Sequence, residues 1–397
     1  MLNFAQTQEL LQNLLTENHI RELFAANKGV SYIHHKTNPL LIGSKFLTKV
    51  VMDVGISDPA QLGDELKKIE TIAALPYSPD LFFDHTSIVL DKPLWQHLVE
   101  NTDVPTAVVP VFSVFDSERG IDKNQLLEMV DEMASGGVTL MSLHPTATNE
   151  LYSLARNMRK IPTTSRGSSL LIKDSEINRR ESNVVAENFN DILKLFKKYN
   201  VTLSLGSVFR PARIDEALDE VHVAETHEHK RYIDIAKASG VNVIMQGIGH
   251  ITLSAISQYC DLIKDFDTPI MPLGPTPTDY CVGFDHVPAA IGATLLAMQC
   301  NVGLINSVTR AEHMVGIPTL ENSIEGLMCA KSVAHMIDLE RFSAYRDMDR
   351  SISDNRATRK TCMINGGLFH AATDNDDSVG CVRCDTQCPL SVIGLYS

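Results

Sequence analysis

Eight short apolar runs, most of them followed by a stretch with helical spacing, constrain the fold of this 397-residue chain more than any other feature. They read TKVVMDVGI (48–56), LFFDHT (81–86), AVVPVF (107–112), VTLMSLH (138–144), VTLSLGS (201–207), VNVIMQGIGH (241–250), PIMPLGP (269–275) and VGLINSV (302–308). Strands that are apolar throughout, rather than alternating, must be covered on both faces, and that means a parallel sheet with helices outside. A shorter candidate strand, PTTSRGSS, lies at 162–169. Helices are expected over 122–137 and 185–200, which end in glycine and asparagine, and over 319–342. No GxGxxG opens a first strand-to-helix turn. The repeat therefore fits a (β/α)8 TIM-type barrel of the α/β class better than an open doubly wound sheet.

The barrel is expected over 46–340, preceded by a helical cap over 1–45 and followed by a polar, charge-mixed tail over 341–397. A net charge of −14 argues against a nucleic-acid partner, because phosphate backbones require a basic face. No apolar run approaches the roughly 20 residues needed to span a bilayer. The N-terminus lacks the basic region of a signal peptide, so the expected location is the cytoplasm. Disulfide staples are not expected there, and Cys260, Cys281, Cys300, Cys329 and Cys362 read as single buried thiols.

Polar residues gather at the ends of the apolar runs: Asp84, His144, Arg166, Ser207, Gln246 with His250, and Asp279. Loops at the C-terminal ends of barrel strands carry the active site in this architecture. Two neutral imidazoles, His250 and His286, could face one cavity there and suit zinc, iron or another divalent metal. The loop TTSRGSS offers hydroxyls, Arg166 and free backbone N–H groups to a phosphate, with Arg210 of SLGSVFRPAR as a second cation. The histidines of HVAETHEHKRY (His222, His227, His229) read as a solvated helix face, and Trp95 as packing. At the far end, GCVRCDTQCPL brings Cys381, Cys384 and Cys388 within eight positions. Three thiolates are one short of a closed zinc site. They are enough for a [4Fe–4S] cluster with one open iron, which can chelate S-adenosylmethionine and cleave it reductively.

From about residue 45 to 340, and again at the terminal cysteines, the chain resembles the phosphomethylpyrimidine synthase (ThiC) family. The resemblance runs in order through TSRGSS, SLGSVFRP, QGIGH, LGPTPTDYCVGFDHVPAAIGA, VTRAEHMVGIP and IEGLMCAKSVAHMIDL. It implies a homodimeric barrel enzyme with a cluster on its C-terminal segment, S-adenosylmethionine, a divalent metal, an external electron donor and a small phosphorylated substrate, aminoimidazole ribonucleotide. A sister group makes 5-hydroxybenzimidazole from the same substrate. By matched position, the resemblance makes His250 and His286 the metal ligands and Cys381, Cys384 and Cys388 the cluster ligands. Ser165, Arg166 and Gly167 become the phosphate loop, while His144, Arg210 and Asp279 face the substrate. Glu312 and His313 match the family's KEH element.

Several positions depart from the family. Its EGPGH glutamate is Gln246, its SLGDGLRP aspartate is Ser207, its PIYQ tyrosine is Phe112, and its KVNANIG region reads KVVMDVG around Val51 and Met52. The cysteine spacing is Cys-x2-Cys-x3-Cys, one residue shorter than the family's. Each lost polar contact would leave a substrate group unpaired at a cost of about 1–3 kcal/mol. Three readings therefore stand: the family's own radical chemistry, the same chemistry on another phosphorylated substrate, and a non-catalytic partner or regulator on the old scaffold.

Overall fold

A computed structural model describes residues 29–314, 316–358, 362, 364, 366–370 and 383–392. It falls into two compact units, residues 1–337 and 338–397. The larger opens with an antiparallel pair, β1 (Ser31–Ile33) and β2 (Leu40–Ile42). Eight parallel strands follow: β3 (Lys49–Val54), β4 (Leu81–Asp84), β5 (Thr106–Val108), β6 (Leu140–Leu143), β7 (Thr202–Leu205), β8 (Val243–His250), β9 (Ile270–Thr276) and β10 (Leu304–Asn306). Their order is β10-β3-β4-β5-β6-β7-β8-β9, and a parallel bridge from Ile270 to Val302 links the two outer strands. The result is a TIM-type barrel in which every long apolar run of the sequence supplies one strand.

Outside the ring lie α1 (Leu62–Ala73), α2 (Leu94–Asn101), α3 (Val111–Val114), α4 (Lys123–Ser135), α5 (Asn149–Met158) and α6 (Arg166–Asn178). After them come α7 (Val184–Glu187), α8 (Phe189–Tyr199), α9 (Glu220–Ala238), α10 (Ile256–Ile263), α11 (His286–Ala297) and α12 (Leu320–Arg341). Side-chain oxygens cap several of them: Asp122 accepts from Asn124 and Gln125, Thr148 from Leu151, and Asp219 from His222. In the smaller unit, α13 (Ser343–Thr358) and α14 (Pro389–Val392) are helical.

Four expectations change. The described part of the N-terminal cap is the β1–β2 hairpin, and residues 1–28, where the cap helix was expected, lie outside the described residues. The candidate strand at 162–169 is a helix start, because Ser165 accepts from the Ser168 N–H and caps α6. Cys260 and Cys300 are joined in a disulfide (Cα–Cα 5.7 Å), while Cys281 and Cys362 are exposed. Finally, α9 buries part of its charged-looking face against the barrel, with His222 and His229 each only 2% exposed. His222 stacks on Tyr259 with ring centroids 5.4 Å apart, and its Nδ1 accepts from the Leu218 N–H at 3.1 Å. Among the described residues no helix is long and apolar enough to cross a membrane.

Asn301 ties the hairpin region to the barrel floor. Its amide donates to the carbonyls of Gly29 (2.5 Å) and Thr268 (3.2 Å), and its oxygen accepts from the Ser44 N–H (2.7 Å). Asn301→Ala should cost about 1–3 kcal/mol in urea denaturation, because two carbonyls and one N–H lose their partner; an unchanged midpoint would show that water replaces it.

Burial of the neutral His222 and His144 holds both imidazoles down at about 3, with Arg159 and Arg210 respectively as the next cause. In the unfolded chain each regains an ordinary value near 6.5. Between about 6.5 and 3 the unfolded state therefore binds more protons, and stability falls with falling pH by up to about 1.4 kcal/mol per pH unit for each group. His222→Gln should reduce the slope of unfolding free energy against pH between 6 and 4; an unchanged slope would refute this assignment.

Candidate active site at the C-terminal rim of the barrel

The C-terminal ends of the strands surround a cavity of about 650 Å³. His144, Ser165, Arg166, Gly167, Arg210, Gln246 and His250 all line it, as do Glu312 and His313. Asp279 touches it only through His250, and Ser207 and His286 do not line it.

The loop after β7 is built around a buried carboxylate. Glu225, on α9 and 1% exposed, accepts from the Val208 N–H (2.6 Å), the Phe209 N–H (2.7 Å), the Thr146 hydroxyl (2.9 Å) and the Ser207 hydroxyl (3.2 Å). Arg159 holds the same loop from the other side, donating to the Phe209 carbonyl while making a bidentate pair with Asp219. The loop in turn aims Arg210, whose guanidinium donates to the carbonyls of Ser207 (3.2 Å) and Thr164 (3.4 Å). Burial lowers the Arg210 pKa from its ordinary value, opposed by Glu225, Glu312 and Asp53, and the group stays charged.

Opposite it, α6 begins. Arg166 lies over the Phe112 ring, 4.3 Å from its centroid, and donates one bond to the His85 carbonyl. A guanidinium has five N–H donors, so both arginines retain donors for an anion. Between them the His144 ring occupies a slot bounded by Gly167 and Gly206. A Cβ at Gly206 would collide with the imidazole, and one at Gly167 would come within 3.0 Å of Cε1. His144 is neutral, and its Nδ1 has no hydrogen-bond partner.

The substituted positions are satisfied internally. The Gln246 amide donates to the hydroxyls of Ser204 (2.8 Å) and Ser142 (3.2 Å), and the Ser207 hydroxyl donates to Glu225. Three residues not singled out in the sequence, Asp53, His85 and Asn306, also line the cavity. His85 Nε2 is 3.3 Å from Asp53 Oδ1, and Asn306 donates to Asp53 Oδ2 at 3.2 Å. Burial would raise the Asp53 pKa, but His85 and Asn306 outweigh it and hold the carboxyl below its ordinary range. Burial and the Asp53 charge push Glu312 upward. Both Asp53 and His85 are polar residues at the ends of barrel strands, which is the signal that would have found them.

The histidines are arranged differently from the expected pair. A bulge at the end of β8, with positive φ at Ile248 (80°) and Gly249 (115°), turns His250 to the rim. A side chain at Gly249 would meet the Pro211 carbonyl. His250 faces His313, Nε2 to Nε2, at 3.3 Å. His286 is instead the first residue of α11, 7% exposed, with Nε2 3.7 Å from Glu325 and Nδ1 unpartnered. The expected His250–His286 pairing is therefore not assembled, because α11 carries His286 away from the cavity. Among the described residues no group of three or more His, Cys, Asp or Glu is arranged to hold a metal ion.

In the smaller unit, Cys384 and Cys388 bracket a 3-10 turn, Asp385–Gln387, in which the Gln387 N–H donates to the Cys384 carbonyl at 3.0 Å. Cys384 is exposed and neither residue forms a disulfide, whereas Cys381 lies outside the described residues.

The model of the radical SAM ThiC family matches residues 5–393, a span that includes both the barrel and all three terminal cysteines. The chain belongs to this family. Phosphomethylpyrimidine synthase of Clostridium perfringens (strain ATCC 13124) is 32% identical over 403 residues, covering 96% of this chain and 89% of that protein. The enzyme of the same name from Carboxydothermus hydrogenoformans is 32% identical over 320 residues, covering 78% and 73%. That of Methanococcus vannielii is 29% identical over 402 residues, covering 95% and 92%. ThiC-family membership makes the chain one of a family of enzymes.

Glu225→Gln should lower stability by about 1–3 kcal/mol, since an amide presents a donor to at least one N–H that now meets a carboxylate oxygen. Thermal and urea denaturation would check this, and an unchanged stability would remove Glu225 as the anchor of the loop.

Proposed function

We propose that the protein is a radical S-adenosylmethionine lyase that rearranges aminoimidazole ribonucleotide, or a close phosphorylated relative, to a thiamine pyrimidine phosphate-type product. It would act in the cytoplasm as a homodimer with an external electron donor. One observation carries the substrate class: Arg166 and Arg210 face one cavity beside the N-terminus of α6 in an otherwise strongly acidic chain. Helix N-terminal N–H groups and two guanidiniums form a cradle for a phosphate. Ser165 would complete it, and Gly167 leaves room for His144 to lie close to the bound molecule.

The donor set at the C-terminus suits an iron–sulfur cluster, because Cys384 and Cys388 lie on either side of one short turn and Cys384 is exposed. Cys381, Cys384 and Cys388 would hold a [4Fe–4S] cluster, which supplies reductive cleavage of S-adenosylmethionine. The barrel's own residues then bind and orient. Arg166 and Arg210 fix the phosphate, and the neutral His144 offers its ring nitrogen to the substrate's heterocycle. Asp53, His85 and Glu312 are placed to hold or move a proton at substrate oxygen or nitrogen.

A second reading is favoured by one observation: Gln246 and Ser207 spend their hydrogen bonds on Ser142, Ser204 and Glu225. Donors committed in this way are not available to the family's substrate, which supports the same chemistry on a different phosphorylated molecule.

Anaerobically reconstituted, reduced protein should form 5′-deoxyadenosine from S-adenosylmethionine, and Cys384→Ala should bring this to background. Absence of deoxyadenosine with a full cluster would refute both readings and leave a non-catalytic role. Deoxyadenosine without turnover of aminoimidazole ribonucleotide would select the second. With whichever substrate is turned over, Arg210→Ala is expected to raise KM about 10–100-fold, the equivalent of about 1.5–3 kcal/mol for a charged hydrogen bond.

A further inference from the structure

Asp53 and His85 have the geometry of a base held by a carboxylate. β3 and β4 are neighbours in the ring, and the His85 N–H donates to the Val54 carbonyl at 2.8 Å, so the two residues leave adjacent strand ends together. His85 Nε2 is 3.3 Å from Asp53 Oδ1, and the other carboxylate oxygen accepts from the Asn306 amide at 3.2 Å. Asp53 is ionised, and a carboxylate only accepts hydrogen bonds, so the neutral His85 ring carries its proton on Nε2. The lone pair is then on Nδ1, which has no hydrogen-bond partner among the described residues. The ring packs against Phe83 with centroids 4.4 Å apart, and the side chain keeps 33% of its surface exposed in the cavity wall. Arg166 donates to the His85 carbonyl, so the guanidinium that forms half of the proposed phosphate cradle also fixes the backbone of His85. Laid on KVVMDVG (49–55), the family's KVNANIG run places an asparagine at Asp53. A neutral amide would pack there equally well, whereas a carboxylate stabilises an imidazolium.

We propose that His85 is the general base of the reaction, taking a proton at Nδ1 from a substrate N–H or O–H, with Asp53 as the residue that orients it. This rests on the radical reaction proposed above and adds the atom that receives the proton. In the step, the electron pair of the N–H or O–H bond stays on the substrate and the proton passes to Nδ1. Asp53 stabilises the resulting imidazolium, and return of the proton to product or water restores the neutral ring. The charged groups around the ring are Asp53 from β3, Asp84 from its own strand and, through the backbone carbonyl, Arg166 from α6. Asp53 is the one that meets the ring itself. His144 also lines the cavity, but burial holds it at about 3, which makes it too weak a base near neutral pH. His250 and His313 turn their Nε2 atoms toward each other and their Nδ1 atoms toward Asp279 and Asp285. His85 is left with a ring nitrogen that no protein group occupies.

The test uses full-length, anaerobically reconstituted enzyme with S-adenosylmethionine and aminoimidazole ribonucleotide. His85→Gln and Asp53→Asn should each lower kcat for product about 100-fold or more, with KM changed by no more than about three-fold. The acid-side fall of the wild-type kcat should flatten in His85→Gln. Added imidazole should restore part of the rate to His85→Gly and none to Asp53→Asn. Deoxyadenosine formed per product should rise about 10-fold or more in both variants, because hydrogen abstraction itself needs no base. Far-UV circular dichroism separates loss of the base from loss of fold. Without any substrate, ¹⁵N NMR of histidine-labelled protein should show the His85 proton on Nε2, in a signal assigned by its absence from His85→Gln. Asp53→Asn should spread that proton over both nitrogens. A ring protonated on Nδ1, or product formed by His85→Gln at the wild-type rate, would overturn the proposal and leave the radical reaction intact. Wild-type protein that forms deoxyadenosine without consuming the ribonucleotide would overturn it as well, since His85 would have no proton to take. No deoxyadenosine from wild-type protein with a full cluster would remove the underlying reaction and the base with it.

Discussion

Closing eight parallel strands into one ring sends the C-terminal end of each to the same rim, and everything chemical in this protein depends on that constraint. The strands are largely buried, so polar side chains within them, such as Ser142, Ser204 and Gln246, are paired with one another, and groups meant for solvent or ligand have no place there. Polar residues are therefore expelled to the ends, where β4, β6, β7, β8 and β10 release Asp84 with His85, His144, Ser207, His250 and Asn306. The rim must then be rigid enough to aim side chains that no strand holds. A buried carboxylate, Glu225, does this for the β7 loop by accepting two backbone N–H groups, and a backbone bulge does it for His250 at the end of β8. Both devices act by satisfying or redirecting backbone, so they fix Arg210 and His250 without occupying the cavity.

This division explains what could be read from the sequence. The eight strands were legible because an apolar, β-branched run is a local property that burial on both sides imposes directly. The cavity-lining residues His144, Ser165, Arg166, Gly167, Arg210, Gln246 and His250 were legible because strand ends and the loop after them are also local. What failed was whatever depends on the angle at which a helix leaves the rim. His286 begins α11 and is carried into the space against α12, whereas His313, in a loop after β10, swings over the cavity. Spacing contains no information on that choice. The same holds for α9: HVAETHEHKRY has the charge mixture of a solvated helix, yet His222, Glu225 and His229 are buried because each finds a specific partner, Leu218, the β7 loop and the Gly206 carbonyl. Charge predicts exposure only when no partner is in reach. The Cys260–Cys300 pairing likewise joins residues 40 apart that only the packing of α10 beside α11 brings together.

The departures from the family are coherent when taken as neighbours. Replacing an aspartate by Ser207 removes a charge next to Glu225, where two carboxylates would compete for the same backbone donors. Replacing a glutamate by Gln246 places an amide between the hydroxyls of Ser142 and Ser204, deep in the barrel. Phe112 keeps the flat face under Arg166 that a tyrosine would offer, without the hydroxyl. Ser207 and Gln246 remove two carboxylates after β7 and on β8, and Phe112 removes a hydroxyl after β5, while Asp53, with His85, adds a carboxylate on the β3–β4 side.

The outcome is a cavity with a charge gradient built into its wall. Arg166, Arg210 and the α6 N-terminus form one side, where an anion is favoured even though the chain as a whole carries −14. Asp279 and Asp285 stand behind His250 and His313 at the rim. A ligand carrying negative charge at one end would be oriented by the two arginines. Its reactive middle would be held against the buried amide of Gln246, the imidazole of His144 and the Asp53–His85 pair. Orientation of that kind selects the reacting atom by position.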